Sequence, residues 1–487
     1  MRPLPSTRDA ALSFALYEVT VNMKIINVLA GLAKLALLPL LLTACAGGLQ
    51  PVESPREMTP PPSRAGQWQE LDDLRPGDWF RVLNTGSEAL DWRLRSIDSA
   101  LDSIDLQTFI WDLDGSGVVI RNHLLAAAAR GVFVRVLVDD SFILDADQEL
   151  LEIDGHPNIE LKVFNPYKHR SSHAAMREAL NLGEFHRLDH RMHNKVMVID
   201  NQVAVLGGRN LADHYFGYDP ESNFRDMEVI AGGPVVEDLA KGFDRYWNNR
   251  WSFPVSAVIE QRERPGSPEP VTLTGGLPPG AHEEQSTQQR QNDWKRLVSE
   301  AWPGTAQLLL DEPPADNPAV SGQAPDQVGK ALVERIDLAK SEVWLISAYL
   351  IPTPELEEAV QRAEQRGVEV RILTNSINSN NHLTAHSAYR RHIGALVEMG
   401  AEVFEVRADA EDRDLYIESP VENKALCLHA KILLFDDDLV YIGSANLDPR
   451  SFVINTEMGL LVDSPELNIA LRRALAPDFS PRNAWRL

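Results

Sequence analysis

His193-Asn194-Lys195-Val196-Met197-Val198-Ile199-Asp200 returns 236 positions later (429 − 193) as His429-Ala430-Lys431-Ile432-Leu433-Leu434-Phe435-Asp436. A second, unrelated stretch keeps the same interval (366 − 130). Arg130-Gly131-Val132-Phe133-Val134-Arg135-Val136-Leu137 matches Arg366-Gly367-Val368-Glu369-Val370-Arg371-Ile372-Leu373. Two matches at one offset mark an internal duplication, which bounds the fold before any single motif does. Each copy is ordered alike. A helical segment (90–101; 328–339) precedes an apolar strand (104–111; 343–350). An Ala-rich amphipathic helix then ends in Arg-Gly, and a Val/Ile/Leu strand follows. Strands alternating with helices predict an α/β fold of two pseudo-symmetric lobes, with mixed sheets flanked by helices and one shared site.

The repeated octapeptide continues alike in both halves. Seven positions after Asp200 comes Gly207-Gly208-Arg209-Asn210, and seven after Asp436 comes Gly443-Ser444-Ala445-Asn446. Side chains on a strand alternate faces, so His and Lys two apart point the same way. Asp200 and Asp436 read as turn residues that shape the hairpin. Each copy thus offers an imidazole (His193, His429), an ammonium (Lys195, Lys431) and an amide (Asn210, Asn446). Two such copies facing each other would bracket a tetrahedral phosphate. One imidazole attacks phosphorus, splitting a hard displacement into two steps. The other, starting as imidazolium, protonates the leaving oxygen and later deprotonates the incoming alcohol. Lys and Asn hold the non-bridging oxygens. Asp226 and Glu457 each lie eight residues before a Pro, and 33 (226 − 193) and 28 (457 − 429) residues after the His of their own half. Each is expected to accept the Nδ1–H of that His, with Glu228 as the rival of Asp226.

Composition narrows the classes. At 487 residues with 44% hydrophobic and 24% charged side chains, the chain carries real cores rather than disorder or many membrane spans. A net charge of −24 disfavours general nucleic-acid binding, whose affinity comes from Lys and Arg on phosphates. Two cysteines, Cys45 and Cys427, support neither a disulfide framework nor a four-cysteine metal site. His186, His190 and His193 lack a spaced carboxylate set, and Lys195 would repel a cation. No metal and no cofactor are expected. Cys427 reads as a small core residue. Phe109, Trp111 and Tyr349 suit either a core or a lipid cleft, and Arg209 and Arg450 either ion pairs or a lipid phosphate.

Residues 23–45 have a leading Lys, an apolar run from Val28 to Leu42 and the ending Leu42-Thr43-Ala44-Cys45. They read as a lipoprotein signal whose Cys45 thiol takes a diacylglyceryl group, with Met23 a more natural start than Met1. The run of about 15 residues is short of the roughly 20 that span a bilayer. Residues 46–66, with Pro60-Pro61-Pro62, read as a tether. The first repeat then spans 67–256, a Pro-, Gly- and Gln-rich linker 257–292, and the second repeat 293–487. Ala46 after the Cys, rather than Asp, points to the outer membrane, facing the periplasm.

The doubled motif resembles the phospholipase D superfamily. Its flanks narrow the likeness. Arg191-Met192-His193-Asn194-Lys195, Leu206-Gly207-Gly208-Arg209-Asn210, Tyr215-Phe216-Gly217 and Gly233-Pro234-Val235-Val236-Glu237-Asp238 are similar to bacterial C-type cardiolipin synthases. So are Ile372-Leu373-Thr374-Asn375-Ser376, Asp448-Pro449-Arg450-Ser451 and Asn455-Thr456-Glu457-Met458-Gly459. The likeness runs from about residue 67 to 486. It implies a duplicated phospholipase D-like domain with His193 as nucleophile and His429 as acid. It also implies a phosphatidyl group moved onto phosphatidylglycerol to give cardiolipin, with phosphatidylethanolamine a possible donor. The partners expected are phospholipids and the membrane, through the lipid anchor, and not nucleic acid; no protein partner is read. Two departures stand out. Gly208 replaces a Ser common in the superfamily, leaving Ser444 without a counterpart and one hydroxyl fewer. The C-terminal extension common in the family is not among these residues, which touches a membrane or acceptor contact and not the chemistry. The rivals are a hydrolase releasing phosphatidic acid, a nuclease, which the charge and anchor disfavour, and an idle lipid-binding lipoprotein, which two intact motifs disfavour.

Overall fold

The Val/Ile/Leu runs behind the two Arg-Gly pairs become strands buried over most of their length. Gly131 and Gly367 explain those pairs. With φ of +97° and +80° they end their helices in the left-handed region, where a side chain is strained. The computed structural model describes residues 49–52, 66–141, 143, 146–170, 174–259, 285–313, 325–380 and 383–487. Cys45 and the signal, most of the tether and most of the linker lie outside the described residues. Everything described after Gln50 belongs to one compact unit, Pro51–Leu487. Among the described residues no helix is long and apolar enough to cross a membrane.

The strands of the first half are β1 (Asp78–Leu83), β2 (Ser103–Thr108), β3 (Phe133–Asp139), β4 (Ile159–Phe164), β5 (Val196–Ile199), β6 (Val203–Gly207), β7 (Ser222–Arg225), β8 (Glu228–Gly232) and β9 (Ser252–Pro254). The second half supplies β10 (Trp302–Leu310), β11 (Glu342–Ser347), β12 (Glu369–Asn375), β13 (Glu402–Val406), β14 (Ala425–Leu428), β15 (Lys431–Phe435), β16 (Leu439–Gly443), β17 (Met458–Asp463) and β18 (Ala484–Arg486). Sixteen of them form one sheet, in the order β18-β13-β12-β11-β15-β16-β17-β10-β1-β8-β6-β5-β2-β3-β4-β9. Outward from β1 and β10 the two halves repeat each other strand for strand. The expected α/β class with mixed sheets is present. The sheets of the two lobes are fused rather than separate, through the antiparallel pairing of Phe80 with Trp302 and its neighbours. Within each half the β2-β3-β4 and β11-β12-β13 neighbours are parallel, and the helices Gly115–Ala129 and Pro354–Gln365 make the crossovers between the first two. Asp114 and Thr353 cap those helices by accepting the backbone N–H of Gly117 and Leu356.

Strand alternation sorts the core. Val196, Val198, Ile432 and Leu434 enter one cluster shared by both halves. Met197 and Ile199 enter the outer core of the first half, Leu433 and Phe435 that of the second. Helix Pro465–Leu475 closes the shared cluster with Leu467, Leu471 and Leu475, spaced by one helical turn. Each of these fully buried Leu side chains contributes about 2 kcal/mol of transfer free energy. The linker reading of 257–292 fails at its end, because helix Thr287–Glu300 starts inside it behind a Ser286 capping box. That helix packs on the first half, with Trp294 edge-on to Trp68 and Trp92. The apolar Trp294, Leu297 and Val298 were masked by a polar flank that resembles a linker.

Candidate active site

The two-stranded parallel sheet of β7 and β14 decides how the halves meet. Its register ends at Leu428 opposite Arg225, so His429 and Asp226 leave it side by side. His429 N donates to Arg225 O at 2.8 Å. The counterpart is the bridge of Met192 to Thr456, where His193 N donates to Thr456 O at 2.9 Å. Each His backbone is thus tied to the acid-bearing segment of the other half.

The acids are therefore exchanged relative to the sequence expectation. His429 Nδ1 lies 2.6 Å from Asp226 Oδ2. His193 Nδ1 lies 2.8 and 3.0 Å from the two oxygens of Glu457. Spacing along the chain located both acids, but the pseudo-twofold arrangement leads each into the opposite half. In both pairs the carboxylate accepts from Nδ1–H, which leaves Nε2 with its lone pair. Glu228 takes no part: it is buried in ion pairs with Arg93 and, at 3.9 Å, Arg209.

Lys195 and Lys431 donate from Nζ to the carbonyl oxygens of His193 and His429. Each ammonium is 1% exposed, so they are buried groups rather than an exposed strand face. Burial pulls Lys195 down to about 7 and Lys431 down to about 8. Burial, then the charges of Lys195 and Lys431, hold His193 well below the ordinary imidazole value. Burial, then Lys431, takes His429 down to about 3. Both lysines act on both rings, which marks a single site. Both imidazoles are therefore neutral at pH 7, with their one proton on Nδ1; an anionic phosphate between them acts in the opposite direction, favouring the imidazolium. Burial raises both acids, but they end differently. Burial pushes Glu457 up to about 7, whereas the paired and hydrogen-bonded His429, with the charges of Lys431 and Arg209, overcomes it at Asp226, which falls to about 2.

The remaining motif residues divide the same way. Asn210 is fully engaged, with Oδ1 accepting from Ile110 N and Nδ2 donating to Tyr215 Oη at 2.7 Å. Asn446 has an unpartnered Oδ1 and lines a cavity. Ser444 Oγ donates to Glu457 Oε2 at 2.5 Å. Its hydroxyl steadies the acid rather than facing a phosphate. The absence of a Ser at 208 follows from space, because a Cβ on Gly208 would sit 2.3 Å from Asp226 Oδ1. Asp200 accepts from the N–H groups of Leu101, Asp102 and Ser103 and from Trp68 Nε1, all at 2.8 Å. Asp436 accepts from Lys340, Ser341 and Glu342. Both lash the hairpin turn to the strand beside it, at positive φ of 52° and 48°. Arg209 is structural, donating to Leu83, Tyr215 and Asp226 carbonyls. Trp111 and Cys427 belong to the core, and burial pushes the Cys427 thiol up to about 11. Among the described residues no three His, Cys, Asp or Glu side chains gather as a metal site.

A cavity of about 700 Å³ opens onto His193, walled by Phe109, Tyr167, Arg177, Arg191, Asn446 and Asn455. Tyr349 and Arg450 also border it, with Arg450 bonded to Asp189. His429 does not line that cavity. Its ring packs on Tyr215 and Phe224, with centroids 5.0 and 4.9 Å away. The repeat explains the difference. Five residues after each Asn stand Tyr215 and Ser451; two before each acid stand Phe224 and Asn455. Small polar residues leave room at His193 where aromatics fill it at His429. Sequence reading missed these four, although aligning the repeats exposes them. It also missed Asp139 and Asn375, one offset apart, which accept from Met192 N and Leu428 N and hold the two His-bearing segments.

Comparison with known proteins shows the family. Residues 94–247 and 332–478 match the family model described as cardiolipin synthase, PLD-like domain. The chain is 34% identical over 415 residues to cardiolipin synthase C of Escherichia coli (strain K12), covering 83% of this chain and 85% of that protein. It is 35% identical over 413 residues to an uncharacterized protein of Helicobacter pylori (strain ATCC 700392 / 26695), covering 83% and 80%. The crystal structure of phosphatidylserine synthase from Haemophilus influenzae Rd KW20 superposes with a TM-score of 0.57 at 12% identity, over 87% of this chain and 92% of that one. That likeness shows the fold. Matched in both halves over the segments that hold His193, Lys195, His429 and Lys431, the chain belongs to the phospholipase D-like family of the cardiolipin synthases.

Proposed function

We propose that the chain is a phosphatidyltransferase that makes cardiolipin from phosphatidylglycerol and a second phospholipid through a phosphohistidine. The observation that carries this reading is the pair of imidazoles held at Nδ1 by carboxylates, flanked by two buried ammonium groups acting on both rings. His193 Nε2 attacks the donor phosphorus, and the bond from phosphorus to the headgroup oxygen breaks. His429, as imidazolium, gives its Nε2 proton to that oxygen. His429 then takes the proton of the acceptor hydroxyl, whose oxygen attacks phosphorus and breaks the N–P bond. Lys195 and Lys431 balance the charge on the non-bridging oxygens, so the cations come from the chain itself. The aromatic walls at Phe109 and Tyr167 and the half-exposed Phe185 at the cavity suit a lipid substrate better than a polar one.

The anchor is part of the same proposal. Lipidation at Cys45, after a start at Met23, would hold the enzyme on the periplasmic face of the envelope, at the outer membrane. Palmitate labelling of wild type and Cys45→Ser tests it, and equal labelling contradicts it.

The test of function is purified protein with vesicles of labelled phosphatidylglycerol, with and without phosphatidylethanolamine. Cardiolipin is the expected product, absent in His193→Ala and His429→Ala. Phosphatidic acid as the sole product would make the chain a hydrolase instead.

A further inference from the structure

The cavity beside His193 holds two cations that the phosphoryl chemistry does not use. Arg177 and Arg191 are 5% and 3% exposed. Both guanidinium groups lie over the ring of Tyr167, with Cζ 4.3 and 4.6 Å from its centroid. Arg177 donates to the carbonyl oxygens of Asp140 and Ser141, and Arg191 to that of Asn165. Arg177 makes no ion pair with a described residue, and Arg191 has only a long one. The nearest carboxylate to Arg191, on Asp139, is 3.6 Å away and already accepts from Met192 N, Ser141 N and Ser141 Oγ. Asp140 is taken by Arg170 and Tyr167 N. Arg191 Nη2 and Arg177 Nε have no hydrogen-bond partner. A buried guanidinium with unused donors is costly unless an anion completes it. The other carboxylates bordering the cavity are Asp189, paired with Arg450, and Asp448, which accepts from Ser451 N and which burial raises to about 6. The second half offers no equivalent of Arg191, because the same offset leads to Cys427 (191 + 236).

The same cavity presents two amides, Asn446 and Asn455, whose Oδ1 atoms lack partners. They stand ready to accept from hydroxyl groups. Anion donors and hydroxyl acceptors in one cavity of about 700 Å³ describe a glycerol phosphodiester headgroup.

We propose that this cavity is the acceptor subsite. Arg177 and Arg191 bind the acceptor's own phosphate, which is not the one attacked, and Asn446 and Asn455 hold its glycerol hydroxyls for transfer from His193. The inference rests on the transfer reading and deepens it, since water as acceptor has no second phosphate to bind.

The test measures the ratio of cardiolipin to phosphatidic acid from labelled phosphatidylethanolamine in phosphatidylglycerol vesicles. Arg177→Gln and Arg191→Gln should lower that ratio at least tenfold, and the Lys variants should restore part of it. Loss of both products in proportion overturns the subsite, because a merely structural role lowers both alike. Wild type alone gives an independent arm should the variants fail to fold. A monoacylglycerol presents the same diol without the phosphate, and should be used at least tenfold less well than phosphatidylglycerol; equal use overturns the proposal. Soluble glycerol phosphate separates a lipid phosphate from a free one, and should be the poorer acceptor at matched concentration; a better rate with it overturns the lipid assignment. Wild type yielding no cardiolipin at all would instead fail the transfer reading.

Discussion

His193 and His429 are built from one pattern and placed in two environments. His193 leans on Glu457, an acid that burial raises to about 7, and looks into an open cavity. His429 leans on Asp226, an acid held down at about 2, and is roofed by Tyr215 and Phe224. Duplication supplies two equal sets of groups, whereas a displacement at phosphorus needs unequal ones. The difference arises without touching His or Lys. It comes from the shells around them: Ser451 against Tyr215, Asn455 against Phe224, Arg191 against Cys427 and Ser444 against Gly208.

Removing the elements common to both halves should have the largest effect. Lys195→Met and Lys431→Met keep the buried stems and delete the charges. Each should slow turnover by about 100-fold or more, as loss of one preorganised donor does. The same groups set the pH profile. An ammonium lowered to about 7 or 8 is charged below that pH and neutral above it. The value of kcat/KM should therefore fall as pH rises through 7 to 8. A profile flat to pH 10 would show that these charges do not serve the reaction.

Exchanging the unequal shells should have a smaller effect, and an asymmetric one. Asn455→Phe fills the open side and should lower kcat/KM on phospholipid by about 10-fold or more, with little change in melting temperature. Phe224→Asn empties the closed side. It should cost about 3 kcal/mol of stability, in line with large-to-small core changes, with the smaller loss of turnover. Equal losses of turnover from the two would erase the distinction between the sides.

The smallest effect on turnover is expected at the turns. Asp200→Asn leaves buried backbone donors short of a carboxylate, which costs roughly 1–3 kcal/mol. Asp436 lies nearer solvent with similar partners, so Asp436→Asn should destabilise less. Thermal melts beside kcat check both. A turnover loss as large as that of the Lys variants would make these carboxylates participants in the chemistry.

The duplication, the α/β class and the hairpins with their turn acids were legible because they depend on local pattern. A period of two puts His and Lys on one face, and Asp at positive φ closes each turn. The exchange of acids was not legible. Asp226 and Glu457 each follow the His of their own half, and only the pairing of β7 with β14 sends them across. Nor was the burial of Lys195 and Lys431, since His-x-Lys on an isolated strand reads the same whether or not another half covers it. The open and closed sides lay within reach of sequence at 215, 224, 451 and 455, but only after the repeats are aligned beyond the motif.

The crossed pairing is the central claim, and acid variants on two substrates test it most directly. An aryl phosphodiester has a good leaving group and needs little help from a general acid. Asp226→Asn disturbs His429, so its deficit on phospholipid should largely vanish on the aryl substrate. Glu457→Gln disturbs the nucleophile His193, so its deficit should persist on both. The account predicts rescue of Asp226→Asn alone; rescue of Glu457→Gln alone would contradict it.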